Sequence, residues 1–220
     1  RSFAEGLPYV VVMTLSVIMY KRLGVSNTDI ALFTSWLYFP WVIKPIWSPF
    51  VDLIKTKRWW IYSMQLLIGG GMAGVAFVLP GDFFLRFTLA FFWLMAFSSA
   101  THDIAADGFY MLGLTEEQQA FFIGIRNTFY RVAMLTGQGL LVMLAGLLEE
   151  STGRISFAWS LVFFVLAGTF IALALWHKYI LPRPASDAQR TNITPHTILV
   201  EFGNTFVSFF NKKGIVPALL

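Results

Sequence analysis

The sequence predicts an all-α polytopic membrane protein, from its composition and from the length of its apolar runs. Hydrophobic residues make up 57% of the 220 residues and charged residues only 13%, whereas a soluble domain carries about 25% charged residues. A helix needs about 20 mostly apolar residues to cross a bilayer. No alternating pattern of a membrane β-barrel is present, so we expect helical spans and no sheet. Six windows qualify, near residues 2–20, 30–51, 59–79, 83–111, 120–148 and 156–180.

Local composition predicts how individual spans begin, bend and pack. Pro40, Pro45 and Pro49 remove backbone donors from the second window, which we expect to be bent or locally unwound. Residues 115–118 read TEEQ, which fits a capping box at the start of the fifth span. Glycines in the third window predict the close approach of a neighbouring helix: Gly69, Gly70, Gly71 and Gly74.

A polar segment with three prolines, residues 181–196, marks the clearest boundary in the chain. We therefore predict a six-helix bundle over residues 1–180 and a cytoplasmic linker over residues 181–197. Helical spacing of apolar residues over 198–212 predicts an amphipathic helix on the membrane surface; packing of this helix on the bundle is the alternative. Residues 213–220 resemble the beginning of a seventh span, so we expect the chain to be a fragment.

The net charge of +4 and the absence of cysteine limit the classes of function. Most basic residues lie in short loops between spans, which indicates cytoplasmic loops rather than nucleic-acid binding. Lys55, Lys57 and Arg58 place the loop after the second span in the cytoplasm, and Lys21 and Arg22 are the exception to this pattern. Disulfides and thiolate metal sites are excluded, and we predict no cofactor and no metal.

Ionisable residues inside the apolar windows are the strongest indication of function. Residues 98–110 read SSATHDIAADGFY and place His102, Asp103 and Asp107 within the fourth span. A carboxylate at that depth costs several kcal/mol unless it faces protein or a water-filled cavity. Because Asp103 and Asp107 are four residues apart, they share one helix face. The pair predicts a site for the movement of ions, protons or substrate.

The pattern alone leaves three roles open for these groups. In the first, Asp107 and Arg126 form a structural ion pair that joins the fourth and fifth spans. In the second, protons move through Asp103, His102 or Glu5, because carboxylates and histidines are the usual proton carriers inside membranes.

The third role is a substrate site, in which Arg131 and Lys44 hold an anionic group. Asn127 and Gln138 share a helix face with Arg131 by their spacing of four and seven residues. We predict that the protein is not an enzyme. The acidic pair resembles half of a Mg²⁺ site of membrane transferases, but no second acidic cluster lies on another span, and HExxH and GxSxG motifs are absent.

Three segments resemble a known family. Residues 99–107 read SATHDIAAD, which is similar to the SATQDIAIDAY pattern of AmpG-like muropeptide permeases. These belong to the peptide/acetyl-coenzyme A transporter branch of the major facilitator superfamily. Residues 3–8, FAEGLP, resemble the FASGLP of that family's first span, and Tyr9 after them is predicted to line the cavity. Residues 47–52, WSPFVD, resemble a degenerate form of the superfamily's loop 2–3 motif.

The resemblance implies a twelve-helix transporter of two six-helix halves in the cytoplasmic (inner) membrane. This chain would be the N-terminal half, and its partners would be a small-molecule substrate, protons, the lipid bilayer and the C-terminal half. The implied activity is proton-coupled import of anhydro-muropeptides or related amino-sugar peptides. One alternative is transport of another anionic solute, similar to acetyl-coenzyme A. The other is a membrane sensor or assembly subunit that does not transport.

The resemblance also implies roles for particular residues. Asp52, which ends the second span, and the basic residues after it, Lys55, Lys57 and Arg58, are expected to form a cytoplasmic gate. Two positions depart from the family pattern, because His102 stands where the family has Gln and Glu5 where it has Ser. Both departures add an ionisable group, so the substrate or the coupling ion is expected to differ from that of a typical permease.

Overall fold

The computed structural model describes residues 2–113, 118, 127–128, 131–187 and 195–210. Within those ranges the secondary structure is helical and no strand occurs. The prediction of an all-α polytopic membrane protein is thereby confirmed. Among the described residues, four helices are long and apolar enough to cross a membrane: Lys57–Val78, Phe84–Leu112, Arg131–Thr152 and Ile155–Ile180.

The first two predicted windows are helical, but each is divided into shorter segments. The first consists of α1 (Ser2–Val10), a π turn (Val11–Leu15) and α2 (Ser16–Arg22). The second consists of α3 (Asn27–Thr34), a 3-10 turn (Ser35–Tyr38) and α4 (Phe39–Ile54). The 3-10 turn ends two residues before Pro40, and Pro45 and Pro49 lie inside α4. Since proline lacks the donor that continues a helix, this irregularity is the one the sequence predicts.

The centre of the packing is formed by α5 (Lys57–Val78), α6 (Phe84–Gly113) and a helix over Ile155–Ile180 that we number α8. The predicted close approach is confirmed at Gly69, Gly71 and Gly74, whereas a Cβ atom at Gly70 would meet nothing within 4 Å. A Cβ atom at Gly74 would overlap the ring of Phe91 in α6, and one at Gly71 would lie 2.7 Å from Cγ of Met95. Apolar side chains of the three helices are fully buried between them, among them Ile68, Met72, Phe92, Phe163 and Phe170.

The fifth predicted span is described at residues 127–128 and from residue 131 onward. A π turn (Thr136–Leu140) leads into α7 (Leu141–Thr152), which ends at Gly153 in the left-handed conformation with φ +65°. A Cβ atom at Gly137 would overlap the side chain of Val10. The π turn of this span therefore packs directly on the first span. Residues 115–117 of the predicted capping box lie outside the described residues.

The segment after α8 folds back on the start of α5. Its short 3-10 turn, Ala185–Asp187, places the carboxylate of Asp187 where it accepts hydrogen bonds from the backbone N–H groups of Lys57 (2.7 Å) and Arg58 (3.1 Å). Arg58 in turn donates through Nε to the carbonyl of Leu181 at 3.0 Å. The linker thus caps the N-terminus of α5, where a negative charge is favourable.

The last described element is α9 (Pro195–Phe210), which packs on α4. The rings of Phe202 and Phe50 stack with centroids 5.0 Å apart. This contact corresponds to the alternative in which the helix lies on the bundle, while Leu199 and Val207 are exposed apolar side chains on the same helix. Residues 213–220, the predicted beginning of a seventh span, lie outside the described residues.

Candidate functional site

His102 lies in a buried chain of polar side chains that joins three helices. Its Nε2 atom is 3.0 Å from Nε2 of Gln65 in α5, and Oε1 of Gln65 is 2.8 Å from Nδ1 of His177 in α8. His102 is 1% exposed, Gln65 is fully buried and His177 is 7% exposed. We call these three residues the His–Gln–His chain. Because each hydrogen bond crosses a helix boundary, the chain fixes α6 against α5 and α8 at one point.

The amide of Gln65 links the protonation states of the two histidines. A glutamine amide has a donor nitrogen and an acceptor oxygen, so in either orientation it accepts from one imidazole and donates to the other. The imidazole that accepts is neutral, because a doubly protonated ring has no acceptor nitrogen. His102 and His177 therefore cannot both be imidazolium ions while the chain is intact.

The sequence analysis did not select Gln65 or His177. The available signal was the same one that selected His102, a single polar residue inside an apolar window. A lone glutamine or histidine in a span indicates no particular partner, and only the packing of α6 and α8 on α5 brings these two residues to His102.

The two carboxylates of α6 occupy different surroundings from the neighbouring histidine. Asp103 and Asp107 are both half-buried, and adjacent helical residues point about 100° apart, so Asp103 projects away from the direction taken by His102. Arg126, the partner proposed for Asp107, lies outside the described residues. Lys57 of α5 approaches α6 beside Asp107, since a Cβ atom at Gly108 would lie 2.5 Å from its Cε atom.

Glu5 and Tyr9 lie one turn apart on α1. Glu5 is 8% exposed, whereas Tyr9 is half-buried and meets two rings of the second predicted span. Its ring centroid is 5.2 Å from that of Trp41 and 6.4 Å from that of Tyr38, both in edge-to-face geometry. Lys44 follows Trp41 by three residues in α4 and is half-buried. The structure therefore brings Tyr9 to the segment that carries Lys44.

The other predicted substrate residues lie on the fifth span. Asn127, Arg131 and Gln138 are all exposed. Gln138 lies within the π turn Thr136–Leu140, and turns of this type occur often at functional sites. These side chains therefore lie on the open surface of the helix, while the opposite side of the π turn packs on α1 through Gly137.

Two of the four predicted gate residues, Asp52 and Lys57, meet between α4 and α5. The ammonium group of Lys57 pairs with the carboxylate of Asp52, and the Lys57 side chain is only 11% exposed although that of Asp52 is 55% exposed. Arg58 donates to backbone carbonyls after and within α8 and not to Asp52. Lys55 is exposed. Asp187, which the sequence analysis missed, joins this group by capping α5.

A second ionic cluster lies at the other end of the helices. Arg22, at the end of α2, pairs with Glu149 of α7, which also accepts a hydrogen bond of 2.8 Å from Nε1 of Trp159 in α8. Lys21 donates to Oδ1 of Asn27 at 2.6 Å. The two basic residues that were exceptions in the charge pattern are thus both held by local partners.

Over the residues that the structure describes, no cluster of three or more His, Asp and Glu side chains is arranged to hold a metal ion. The predicted site residues comprise carboxylates on α1 and α6, cations on α4 and the fifth span, and amides and aromatic rings. Such a set can bind a polar solute and exchange protons with it.

Comparison with known proteins identifies the family of the chain. The sequence profile of the BT1 family matches residues 3–194, which is most of the chain. The chain belongs to the BT1 family. This family is related to the major facilitator superfamily, so the resemblance noted from the sequence is confirmed, and the BT1 chain is an integral membrane protein.

Two relatives define how far the similarity of this BT1 chain extends. The anhydromuropeptide permease of Escherichia coli strain K12 is 31% identical over 150 residues, which cover 65% of this chain and 30% of the permease. An uncharacterized protein of Haemophilus influenzae is 26% identical over 241 residues, covering 99% of this chain and 49% of that protein. The chain therefore spans less than half the length of these relatives.

Proposed function

We propose that this chain is the N-terminal half of a proton-coupled transporter that imports anhydromuropeptides or related amino-sugar peptides into the cytoplasm. The observation that carries the proposal is the similarity to a permease named for anhydromuropeptides, together with membership of the BT1 family. In transporters built from two halves, each half supplies one wall of a central site, and the halves rock against each other. The partner in this proposal is therefore the C-terminal half, in the cytoplasmic membrane.

Asp103 is the proposed proton carrier, with Glu5 as a second carboxylate. Asp103 is half-buried on a membrane helix, and a carboxylate in such a place is a usual carrier of coupled protons. His102 acts as an accessory in this proposal, since the His–Gln–His chain fixes its ring and with it the rotation of α6 about its axis. The structural ion pair proposed for Asp107 and Arg126 holds the cytoplasmic end of the same helix.

The substrate side of the proposal uses cations and neutral polar groups. Lys44 on α4 and Arg131 on the fifth span attract the carboxylates of a peptide, and Asn127 and Gln138 offer amides for its backbone. Tyr9 contributes its ring. The residues approach the site from both flanks of α1, because α1 contacts the second span through Tyr9 and the π turn of the fifth span through Val10.

Transport by the full-length protein in proteoliposomes tests the proposal. Labelled anhydromuropeptide is expected to accumulate when a proton gradient is imposed and only to equilibrate without one. Accumulation of an acetyl-coenzyme A-like anion in its place would overturn the substrate assignment. Binding of the muropeptide with no transport under any gradient would favour a membrane sensor and overturn the transporter assignment.

Two variants test the proton carriers within the same assay. Asp103→Asn is expected to abolish accumulation driven by the gradient, and His102→Gln to change its pH dependence, because the glutamine cannot gain or lose a proton. Asp82→Asn is the matched control, because Asp82 is an exposed carboxylate in the loop before α6. Normal gradient-driven accumulation in both Asp103→Asn and His102→Gln would show that the pair is structural.

A further inference from the structure

Three aromatic rings form a corner between the first and second spans. The rings of Tyr38 and Trp41 are within 25° of parallel with centroids 6.5 Å apart. The ring of Tyr9 stands at 78° to Tyr38 and at 81° to Trp41. The rings of Tyr38 and Trp41 are therefore nearly parallel, and the ring of Tyr9 is nearly perpendicular to both. We call these three residues the aromatic corner.

The aromatic corner is open, unlike the aromatic contacts that only fill the core. Tyr38 is 45% exposed, and Tyr9 and Trp41 are half-buried. By contrast, Tyr20 and Phe92 make the same edge-to-face contact at 5.9 Å with both side chains fully buried. Ring surface that neighbouring helices do not cover is available to a ligand, and ligand sites combine such apolar surface with a few placed polar groups.

The polar groups beside the corner fit a sugar that carries a peptide. Tyr9 and Tyr38 add phenolic hydroxyls, which both donate and accept hydrogen bonds, to ring faces that suit the C–H face of a pyranose. Lys44 lies three residues beyond Trp41, about 4.5 Å further along α4. A sugar on the rings therefore leaves an attached peptide carboxylate within reach of the Lys44 ammonium group.

We propose that the aromatic corner is the subsite that recognises the amino-sugar rings of the substrate, and that Trp41 and Tyr38 determine its preference for sugar-bearing peptides over free peptides. This inference rests on the proposed function and assigns the residues that select the substrate. The tryptophan supplies the largest ring face, and the tyrosine adds a hydrogen bond to a sugar hydroxyl. Tyr9 limits how far a ring can slide toward α1.

Binding to the purified full-length protein tests the subsite with two halves of the substrate. The probes are the anhydro-disaccharide without peptide and the corresponding peptide without sugar. Trp41→Leu is expected to raise the Kd of the disaccharide about tenfold, the effect of losing one well-packed aromatic contact, and to leave the Kd of the free peptide unchanged. Trp41→Tyr is expected to restore most of the disaccharide affinity.

A matched control exists on the other helices. Phe77 and Phe164 form an edge-to-face pair at 4.9 Å on α5 and α8, and they are 74% and 38% exposed. Phe77→Leu removes an exposed aromatic ring that is not part of the aromatic corner. This variant is expected to leave the Kd values of both probes unchanged. The thermal midpoint of each variant shows that it is folded.

The outcomes separate the two proposals. Wild-type protein that binds neither probe and does not take up muropeptide would overturn the proposed function and the subsite with it. A second outcome would overturn the subsite alone. In it the wild-type protein takes up muropeptide, but the folded variants Trp41→Leu and Tyr38→Leu bind the disaccharide with the same Kd as the wild type. An equal loss of affinity for the disaccharide and for the free peptide would also overturn the subsite, because a residue with only a structural role would affect the binding of both probes.

Discussion

The helices of this protein fall into two groups that differ in regularity and in burial. α5 and α8 run without interruption for 22 and 26 residues, and half of the most apolar stretch of each is buried within the protein. The first, second and fifth spans each contain a π or 3-10 turn. Only 22% of the corresponding stretch over Arg131–Thr152 is buried.

The difference follows from what a membrane allows. An irregular backbone leaves polar groups that lipid cannot satisfy, so it is tolerated where it packs on protein or lines a water-filled cavity. The π turns of the first and fifth spans pack on each other, through Val10 and Gly137 among other contacts. Regular helices thus form a fixed support, and the irregular ones carry the proposed substrate residues Tyr9, Lys44 and Gln138.

The largest effect on stability is expected from a larger side chain at the tight contact between α5 and α6. Gly74→Leu places a side chain where the ring of Phe91 lies, and overpacking of this kind costs about 1–3 kcal/mol or more. We expect a large fall in the thermal midpoint of the purified protein and a low yield of folded protein. Gly70→Leu is the control, since a Cβ atom at Gly70 meets nothing within 4 Å. Equal stability of the two variants would refute tight packing of α5 on α6.

Two glutamines compare the support with the irregular spans directly. Gln65→Leu leaves His102 and His177 without their shared partner, and each buried polar group left unsatisfied costs about 1–3 kcal/mol. The thermal midpoint should fall clearly. Gln138→Leu changes an exposed side chain and should leave the midpoint unchanged while it raises the Kd of muropeptide. A fall in the midpoint for Gln138→Leu, with an unchanged midpoint and a raised Kd for Gln65→Leu, would contradict the division between regular and irregular helices.

A smaller effect is expected where the linker caps α5. Asp187→Ala removes two hydrogen bonds to backbone N–H groups of α5 while the N-cap hydrogen bond of Thr56 stays in place, and a hydrogen bond of this kind contributes about 1 kcal/mol. Differential scanning calorimetry of the variant should show a modest fall in midpoint, with hydrogen exchange faster in the first turn of α5. Asp82→Ala, in an exposed loop, serves as the control. Unchanged exchange in α5 would mean that the linker does not hold the helix in solution.

The smallest effect on stability is expected at the gate, where the effect on transport is the informative one. Asp52 is 55% exposed, and an ion pair at such a site contributes about 1 kcal/mol or less. As Asp52 is a proposed gate residue, Asp52→Asn should change the rate of muropeptide uptake more than the equilibrium Kd, because a gate biases states that differ by only a few kcal/mol. A large loss of affinity at a normal uptake rate would assign Asp52 to the substrate site. Asp29→Asn, on α3, is the control.

The sequence by itself determined the class of fold, and the physical reason is that the signal is local. A span is a run of apolar residues long enough for the bilayer, and a proline removes its own donor wherever it stands. The helical, membrane-spanning character, the irregular second span and the close approach at Gly71 and Gly74 therefore needed no knowledge of neighbouring helices. The motif at residues 99–107 is also local, and it was enough to indicate the family.

Tertiary structure alone decided which side chains meet. His102 is 37 residues from Gln65 in the sequence, and Gln65 links it to His177. Asp187 caps α5 although it is at least 129 residues from the N–H groups that it accepts from. No periodicity within one helix encodes such pairs, because they depend on how α5, α6 and α8 are rotated and stacked. Rotation is set by the summed fit of many apolar contacts around each helix. The pattern of the sequence showed which residues are unusual, and the packing chose their partners.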